Sequence, residues 1–343
     1  MSGKQREKWI DLVKCIAIAI VMINHSQLDV PEVKFWGGMF FVPVFFVVSG
    51  FTYRSREESF LSFLGRKAKR LLLPYITANG ILFAFFFFKN VFLADGNPSD
   101  MLVELVGIFY ARNQLFSWAT PTLFFPDSGA NIYLLTLLNS PTWFLPALFL
   151  TMVLFEVLFR LSKRDGRKML IGAVVLLCLS NLYHYLFPLL LPWSVDAVSY
   201  FLIMFLWGYF AGRKGYLQYF DRHKWVLLLL GGVFLFSAMI NGSTNYSIAD
   251  YGRSAMLALY NALVSSTILM YLCYKAEKYI PRILTVVGQQ TLFLLCYHLF
   301  AFSVFETIWT GIHPAVTIVV TLVLLTMAAW GKEKLLYAKK QRH

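Results

Sequence analysis

The hydrophobic pattern falls into ten apolar stretches, bounded by charges and turn residues, at about 9–28, 36–53, 71–93, 142–160, 169–187, 197–212, 225–240, 253–274, 283–305 and 314–331. Most approach the roughly 20 residues that a helix needs to cross a bilayer core. Each predicts a spanning helix, because a helix satisfies its own backbone groups in hydrocarbon. The second stretch is interrupted by Gly37, Gly38, Pro43, Ser49 and Gly50. A membrane helix accommodates such residues where its neighbours satisfy the freed groups. The longest connection, 94–141, is itself aromatic, with Phe109, Tyr110, Phe116, Trp118, Phe124 and Phe125. It reads either as an irregular cover at the membrane surface or as a lid over an outward-facing cavity. The expected fold is all-α: one polytopic bundle of about ten spans over residues 1–343.

Composition agrees with that pattern. The chain is 58% hydrophobic and 14% charged, where soluble domains carry roughly 25% charged residues. It is too apolar and too aromatic for disorder. Charge then orients the spans. With the N-terminus in the cytoplasm, 26 of the 31 Lys and Arg residues fall in inside segments. Only Lys34, Lys89, Arg112 and Arg253 fall outside, and Lys14 lies within the first span. This bias is the positive-inside rule, and it puts both termini in the cytoplasm. It also accounts for the net charge of +13 without nucleic acid. The first stretch contains Asp11 and Lys14 and ends at no small-residue cleavage site, so it is expected to remain as a span. Cys15, Cys178, Cys273 and Cys296 lie in apolar stretches with no CxxC spacing. They read as core residues, and no metal site is expected.

Ionisable residues inside a span are costly and point to function. Asp11 and Lys14 are three residues apart, within pairing distance on one helix face. Lys14 and His25 are eleven residues apart. At about 100° per residue they face nearly the same way, about 16 Å apart along the axis. Asn24 sits beside His25 but faces a different neighbour. The charged pair also reads as a structural or snorkelling pair, and His25 as a core histidine. His298, in LLCYHLF, lies about as far into the ninth stretch as His25 does into the first. Two imidazoles at one depth suggest a shared polar cavity. RKAKR at 66–70 places Arg66 and Arg70 at i,i+4, and Lys67 and Arg70 at i,i+3. The cluster reads either as a lipid-headgroup anchor or as a phosphate site, which the arginine fork suits. Trp143, in PTWFLPALF, reads as an interfacial anchor.

These segments together resemble a known family. REKWIDLVKCIAIAIVMINH (6–25), PVFFVVSGFTYR (43–54), RKAKRLLLPY (66–75), PTWFLPALF (141–149) and GQQTLFLLCYH (288–298) are similar, in order, to the membrane acyltransferase-3 family of bacterial O-acyltransferases. The resemblance implies a multi-pass enzyme of the bacterial cytoplasmic membrane. It would move an acyl group, usually acetyl, from cytoplasmic acetyl-CoA to a carbohydrate hydroxyl at or beyond the outer face. The family's first span carries a basic residue, ten residues, then the catalytic histidine. Lys14 and His25 match it, with Lys in place of the commoner Arg, and Asp11 would orient the span or hold the pantetheine arm. The family's Arg-x-x-Arg donor motif is altered here: the three-residue spacing is Lys67 to Arg70, with Arg66 one residue further away. Asn24, Ser49, Tyr75, Trp143 and His298 are the expected cavity residues. No permanently bound cofactor is expected. The implied partners are acyl-CoA, the carbohydrate acceptor, membrane lipid and cell-envelope polysaccharide synthesis proteins. The chain ends about a dozen residues after its last stretch, so it would act alone or hand the acyl group on. A proton-coupled transporter of a small polar solute or amino acid is the alternative that buried Lys, Asp and His also allow. A structural subunit of an export assembly would leave His25 without a role.

Overall fold

The computed structural model describes residues 7–93, 97–98, 101–115, 137–309 and 311–340. Among them the regular structure is helical, without a β-strand. The helices are α1 (Lys8–Asn24), α2 (Pro31–Gly38), α3 (Pro43–Phe51), α4 (Phe60–Phe88), α5 (Met101–Tyr110), α6 (Phe144–Leu161), α7 (Gly166–Leu186), α8 (Val198–Lys214), α9 (Tyr216–Arg222), α10 (Lys224–Asn241), α11 (Ala255–Lys275), α12 (Arg282–Gln289), α13 (Thr291–Ile308) and α14 (Pro314–Lys340).

All ten apolar stretches are helical, but they do not all qualify as spans. Among the described residues seven helices can cross a membrane by length and composition, and α2 with α3 makes an eighth, as a pair bent by about 40°. The other two, α1 and α8, have 17 residues each. At 1.5 Å per residue such a helix reaches about 26 Å, short of a bilayer core of about 30 Å. Both also carry charges: Lys8, Asp11 and Lys14 on α1, Arg213 and Lys214 on α8. An inner helix walled by protein need not match the lipid in length or polarity. In contrast, α7 leaves Leu170, Ile171, Val174, Val175, Leu179 and Leu182 exposed. A continuous apolar face of this kind belongs in lipid. The ninth stretch divides at Gln290 into α12 and α13.

The connections rich in Lys and Arg gather at one end of the bundle. The Lys8 backbone N–H donates to Glu277 Oε1 (2.9 Å), and the Arg160 guanidinium donates to the Glu58 carbonyl (3.0 Å). Lys275 pairs with Asp221 at 2.8 Å, and Arg164 and Arg213 line one groove. Segments far apart in sequence thus share this basic end.

Glycine sets the centre of the bundle, where α3 lies against α8. A Cβ on Gly50 would overlap the Phe205 carbonyl, and one on Gly208 would overlap the Val47 carbonyl. A Cβ on Gly212 would sit 2.7 Å from the Phe51 carbonyl oxygen. The two backbones therefore touch, as small residues allow in membrane bundles. Four residues before Gly50 and Phe205, Phe46 stacks on Phe201 with centroids 4.4 Å apart. The constant offset shows that α3 and α8 run in the same direction. A second contact of this type joins α12 to α1, where a Cβ on Gly288 would overlap the Asp11 carbonyl.

At the opposite end an ion pair ties the segment after α5 to the α7–α8 connection. Arg112 and Asp196 are fully buried, with Nη2 to Oδ2 at 2.9 Å. Arg112 also donates to Ser194 Oγ (2.7 Å), and Asp196 Oδ1 accepts the Leu191 N–H (3.0 Å). His184 Nε2 lies 3.4 Å from Asp196. These hydrogen bonds offset part of the cost of burying the pair.

Gly208→Val should cost more than the roughly 1–3 kcal/mol of ordinary overpacking, since it meets backbone and not a movable side chain. Gly65→Ala on α4, where a Cβ meets nothing within 4 Å, should stabilise by up to about 1 kcal/mol. Thermal unfolding of both variants in detergent checks this. Equal midpoints for Gly208→Val and wild type would show that the crossing tolerates separation.

Candidate active site

The far end of α1 shapes the site. The helix stops at His25, whose backbone (φ −97°, ψ 1°) leaves the helical region. Polar side chains cap the last turn: Asn24 Nδ2 donates to the Ile20 carbonyl (3.1 Å) and Ser26 Oγ to that of Ile23 (2.8 Å). A short turn leads to Pro31, which opens α2. At this end lies a cavity of about 220 Å³. Asn24 and His25 line it from α1, with Trp143 and Asn113 across from them. Gly38, Phe41 and Val42, at the bend between α2 and α3, form another side. The loop Thr244–Ser247 closes it.

His298 is the nearest imidazole. Its ring centroid is 5.7 Å from that of His25, and the planes are inclined by 55°. Nitrogens of rings this close are within reach of one bridging water. His298 is fully buried, and its Nδ1 lies 2.9 Å from the Leu294 carbonyl and 3.1 Å from that of Leu295. Those acceptors put the proton on Nδ1, so the neutral ring presents Nε2 as a lone pair. That Nε2 is buried with no hydrogen-bond partner among the described residues.

Trp143 is held by a relay of buried polar groups. It ends a 3-10 turn, Ser140–Trp143, whose second residue, Pro141, sits where no backbone N–H is needed. Asn139 Nδ2 donates to the Cys296 carbonyl on α13 (3.0 Å). Thr142 Oγ1 donates to the Asn139 carbonyl (2.7 Å), and Asn79 Nδ2 on α4 donates to Thr142 Oγ1 (2.9 Å). Tyr75, one turn before Asn79, donates to the Ile108 carbonyl (2.6 Å).

The expected site residues thus separate into groups. Asn24, His25 and Trp143 share the cavity, and His298 joins through His25. Tyr75 stands behind Trp143 in the polar relay. Ser49 is half-buried on α3 and is not among the cavity-lining residues. Asp11 and Lys14 lie toward the basic end of α1, where Asp11 is buried and accepts from Gln289 Nε2 (3.3 Å). The 66–70 cluster is divided. Arg66 forms a two-pronged pair with Glu58. Lys67 is buried with its ammonium 5.5 Å from the Phe63 ring centroid, and Arg70 is exposed. Beside them, Ser55, Arg56, Glu57, Glu58, Glu156 and Arg160 line part of a cavity of about 400 Å³.

Several of these residues escape sequence reading. Asn113, Thr244, Asn245 and Ser247 lie in connections that look like ordinary turns. The polar run STNYS at 243–247 is a signal that could have marked the last three. Glu156, a carboxylate inside the fourth stretch, accepts a hydrogen bond from Tyr53 and pairs with Arg160 (2.6 Å). Of the long connection, 101–110 is α5, while Phe116, Trp118, Phe124 and Phe125 lie outside the described residues. Among the described residues no group of three or more His, Cys, Asp or Glu side chains is placed to hold a metal ion.

A family model described as an acyltransferase domain matches residues 7–331, nearly the whole chain. None of the curated proteins and none of the solved structures matches it.

Hydrogen bonds from Arg66 hold the Glu58 carboxyl below its ordinary value of 4.5. The pair therefore stands at neutral pH and is lost as pH falls through that lowered pKa. Glu58→Gln should release Arg66 at neutral pH. If the 66–70 segment holds donor phosphates, acetyl-CoA should then bind about two- to fivefold tighter, as read by calorimetry. Unchanged affinity would remove Arg66 from the donor site.

Proposed function

Because the chain belongs to the membrane acyltransferase-3 family, we propose that it moves an acetyl group from cytoplasmic acetyl-CoA to a hydroxyl of an extracytoplasmic or lipid-linked carbohydrate. The membrane would be the bacterial cytoplasmic membrane, and the acceptor would come from cell-envelope polysaccharide synthesis. The observation that carries this reading is the His25–His298 pair at the edge of a small polar cavity.

The cavity lining suits a sugar. Asn24, Asn113, Thr244, Asn245 and Ser247 offer amides and hydroxyls, while Trp143 and Tyr246 offer aromatic surface. At about 220 Å³ it is smaller than the roughly 300–1,000 Å³ of sites for drug-sized ligands, which suits one sugar unit or the end of a chain. The donor would enter at the basic end. Lys14 and His25 are separated by about 16 Å along α1, so the acyl arm has to cross most of the bundle.

Two routes are consistent with one imidazole at that place. In the first, His25 takes the proton of the acceptor hydroxyl while its oxygen bonds to the thioester carbonyl carbon. The carbon–sulfur bond breaks, and the proton returns to the CoA sulfur. In the second, His25 nitrogen bonds to the thioester carbonyl carbon and the carbon–sulfur bond breaks to release CoA thiolate; the acceptor oxygen then takes the acyl carbon from nitrogen, and its proton passes to the CoA sulfur. His298 would hold the His25 ring and share its proton through the Nε2 lone pair. It acts through His25 and is a positioning residue. Lys14 and Asp11 would fix the depth of α1, and the segment Arg66–Arg70 would contact the donor through whichever cations become free of Glu58.

The transporter reading rests on the same buried imidazoles, and one assay separates the two. Proteoliposomes holding acetyl-CoA on the donor side should acetylate an acceptor glycan on the other side. Proton-driven solute uptake without acetylated product would favour the transporter.

His25→Ala should lower transfer by at least about 10²-fold with unchanged folding; full activity would remove His25 from the chemistry. His298→Gln should lower kcat more than it raises acceptor KM and move the pH–rate profile. A profile identical to wild type would reduce His298 to packing.

A further inference from the structure

The basic end holds a second concavity that differs in kind from the one beside Glu58. A groove of about 740 Å³ runs between the start of α7, the end of α8 and the flank of α11. Its mouth carries Arg164, Arg167, Arg213 and Lys214, all exposed. Its walls are Leu170, Ile203, Leu206, Trp207, Phe210 and Leu263, and no carboxylate lines it. None of the four cations pairs with a carboxylate among the described residues. Asp165, the nearest acid in sequence, accepts the backbone N–H groups of Arg167 (2.9 Å) and Lys168 (3.4 Å) and so caps α7. Aromatic faces steady the cations: Arg213 lies 4.3 Å from the Tyr209 ring centroid and Lys214 5.8 Å from that of Phe210.

We infer that this groove is a binding site for an anionic phospholipid. The headgroup phosphate meets Arg167, Arg213 and Lys214, and one acyl chain lies along Leu170, Ile203 and Leu263. Basic pockets between membrane helices bind such headgroups by charge, while the chain removes apolar surface from water. The wall favours a lipid over a free phosphate compound, because it is apolar and continues into the lipid-facing side of α7, where Leu170 is 49% exposed. The 400 Å³ cavity beside it, which shares Arg164, sets Glu57, Glu58 and Glu156 against Arg56, Arg160, Lys163 and Arg164, so its cations are largely compensated. Bound there, the lipid would join α7 to α8 and α11. The inference does not depend on the acetyl-transfer reading.

The full chain in detergent is delipidated and offered phosphatidylglycerol or phosphatidylcholine, and retained lipid is counted by native mass spectrometry. Wild type should retain phosphatidylglycerol about tenfold over phosphatidylcholine. The variant Arg167→Gln/Arg213→Gln/Lys214→Gln should lose that preference. The variant Lys224→Gln/Lys278→Gln/Arg282→Gln removes three exposed cations of the same end outside the groove and should keep it. A second measurement leaves the charges intact. Phosphatidylglycerol with brominated chains should quench tryptophan fluorescence more than brominated phosphatidylcholine, and Trp207→Phe should remove the difference. Equal retention by the two triple variants, or an excess quench that survives Trp207→Phe, would overturn the site. Displacement of phosphatidylglycerol by acetyl-CoA would overturn it too, by assigning the groove to the donor nucleotide.

Discussion

The contact of backbone on backbone at Gly50 and Gly208 is the constraint from which the rest of the bundle follows. Where lipid surrounds a protein, apolar burial between helices drives little, and close packing takes its place. The α3–α8 crossing uses glycine to bring two carbonyls within touching distance of the opposing helix. One turn toward the far end, the same approach lets Phe46 stack flat on Phe201. Phe201 in turn lies 5.9 Å from Trp143 and 6.4 Å from Tyr246, centroid to centroid. Those two rings line the cavity. A side chain at Gly208 would thus be felt at the site through two layers of aromatic packing.

The height of His25 rests on a matching contact. Gly288 on α12 closes onto the Asp11 carbonyl, and Gln289 donates to the Asp11 side chain. These fix α1 at its basic end, and the helix carries that register to His25. His298 solves the problem of a buried polar ring differently. Its Nδ1–H is satisfied by carbonyls of its own helix, so it needs no partner helix to be stable there. The remaining nitrogen faces outward from α13 with its lone pair unspent. A helix with a self-satisfied histidine at mid-length is cheaper to insert than one that depends on a neighbour, and it leaves one nitrogen for chemistry.

Much of this was legible before the coordinates. Hydropathy marked ten stretches that are all helical, but not α5 or α9, which lie in the connections between them. The eleven-residue spacing put Lys14 and His25 on one face. The similar depth of His25 and His298 was also readable, but their contact was not, because nothing in one chain's periodicity tells which helices are neighbours. At α1 and α8 the apolar stretches mark helices of 17 residues that are largely buried in protein. The 66–70 cluster looked uniform because helix spacing describes only its own helix. Glu58, in the preceding loop, pairs with Arg66, and the Tyr53 ring, before that loop, lies 6.0 Å from the Lys67 ammonium. Asn113, Asn245 and Ser247 were hidden for a related reason. Short polar connections carry no period, and at 245–247 it is a closed turn, in which the Ser247 N–H and Oγ both donate to Asn245 Oδ1, that sets the loop beside the cavity.

The basic end shows why orientation and binding are separate readings of one set of charges. Positive-inside bias needs only that Lys and Arg reside on one side of the bilayer; it is indifferent to what they touch. At 55–58 and 156–164 the cations share their cavity with Glu57, Glu58 and Glu156, and much of their field is spent locally. At 164–167 and 213–214 they ring an apolar groove without a carboxylate in its lining, and their field is directed outward. The number of cations is similar in the two places, yet only the second presents an uncompensated positive surface next to exposed hydrocarbon side chains. Counting charges therefore gives only an expected orientation of the chain, whereas the placement of a few acids bears on where an anion can dock.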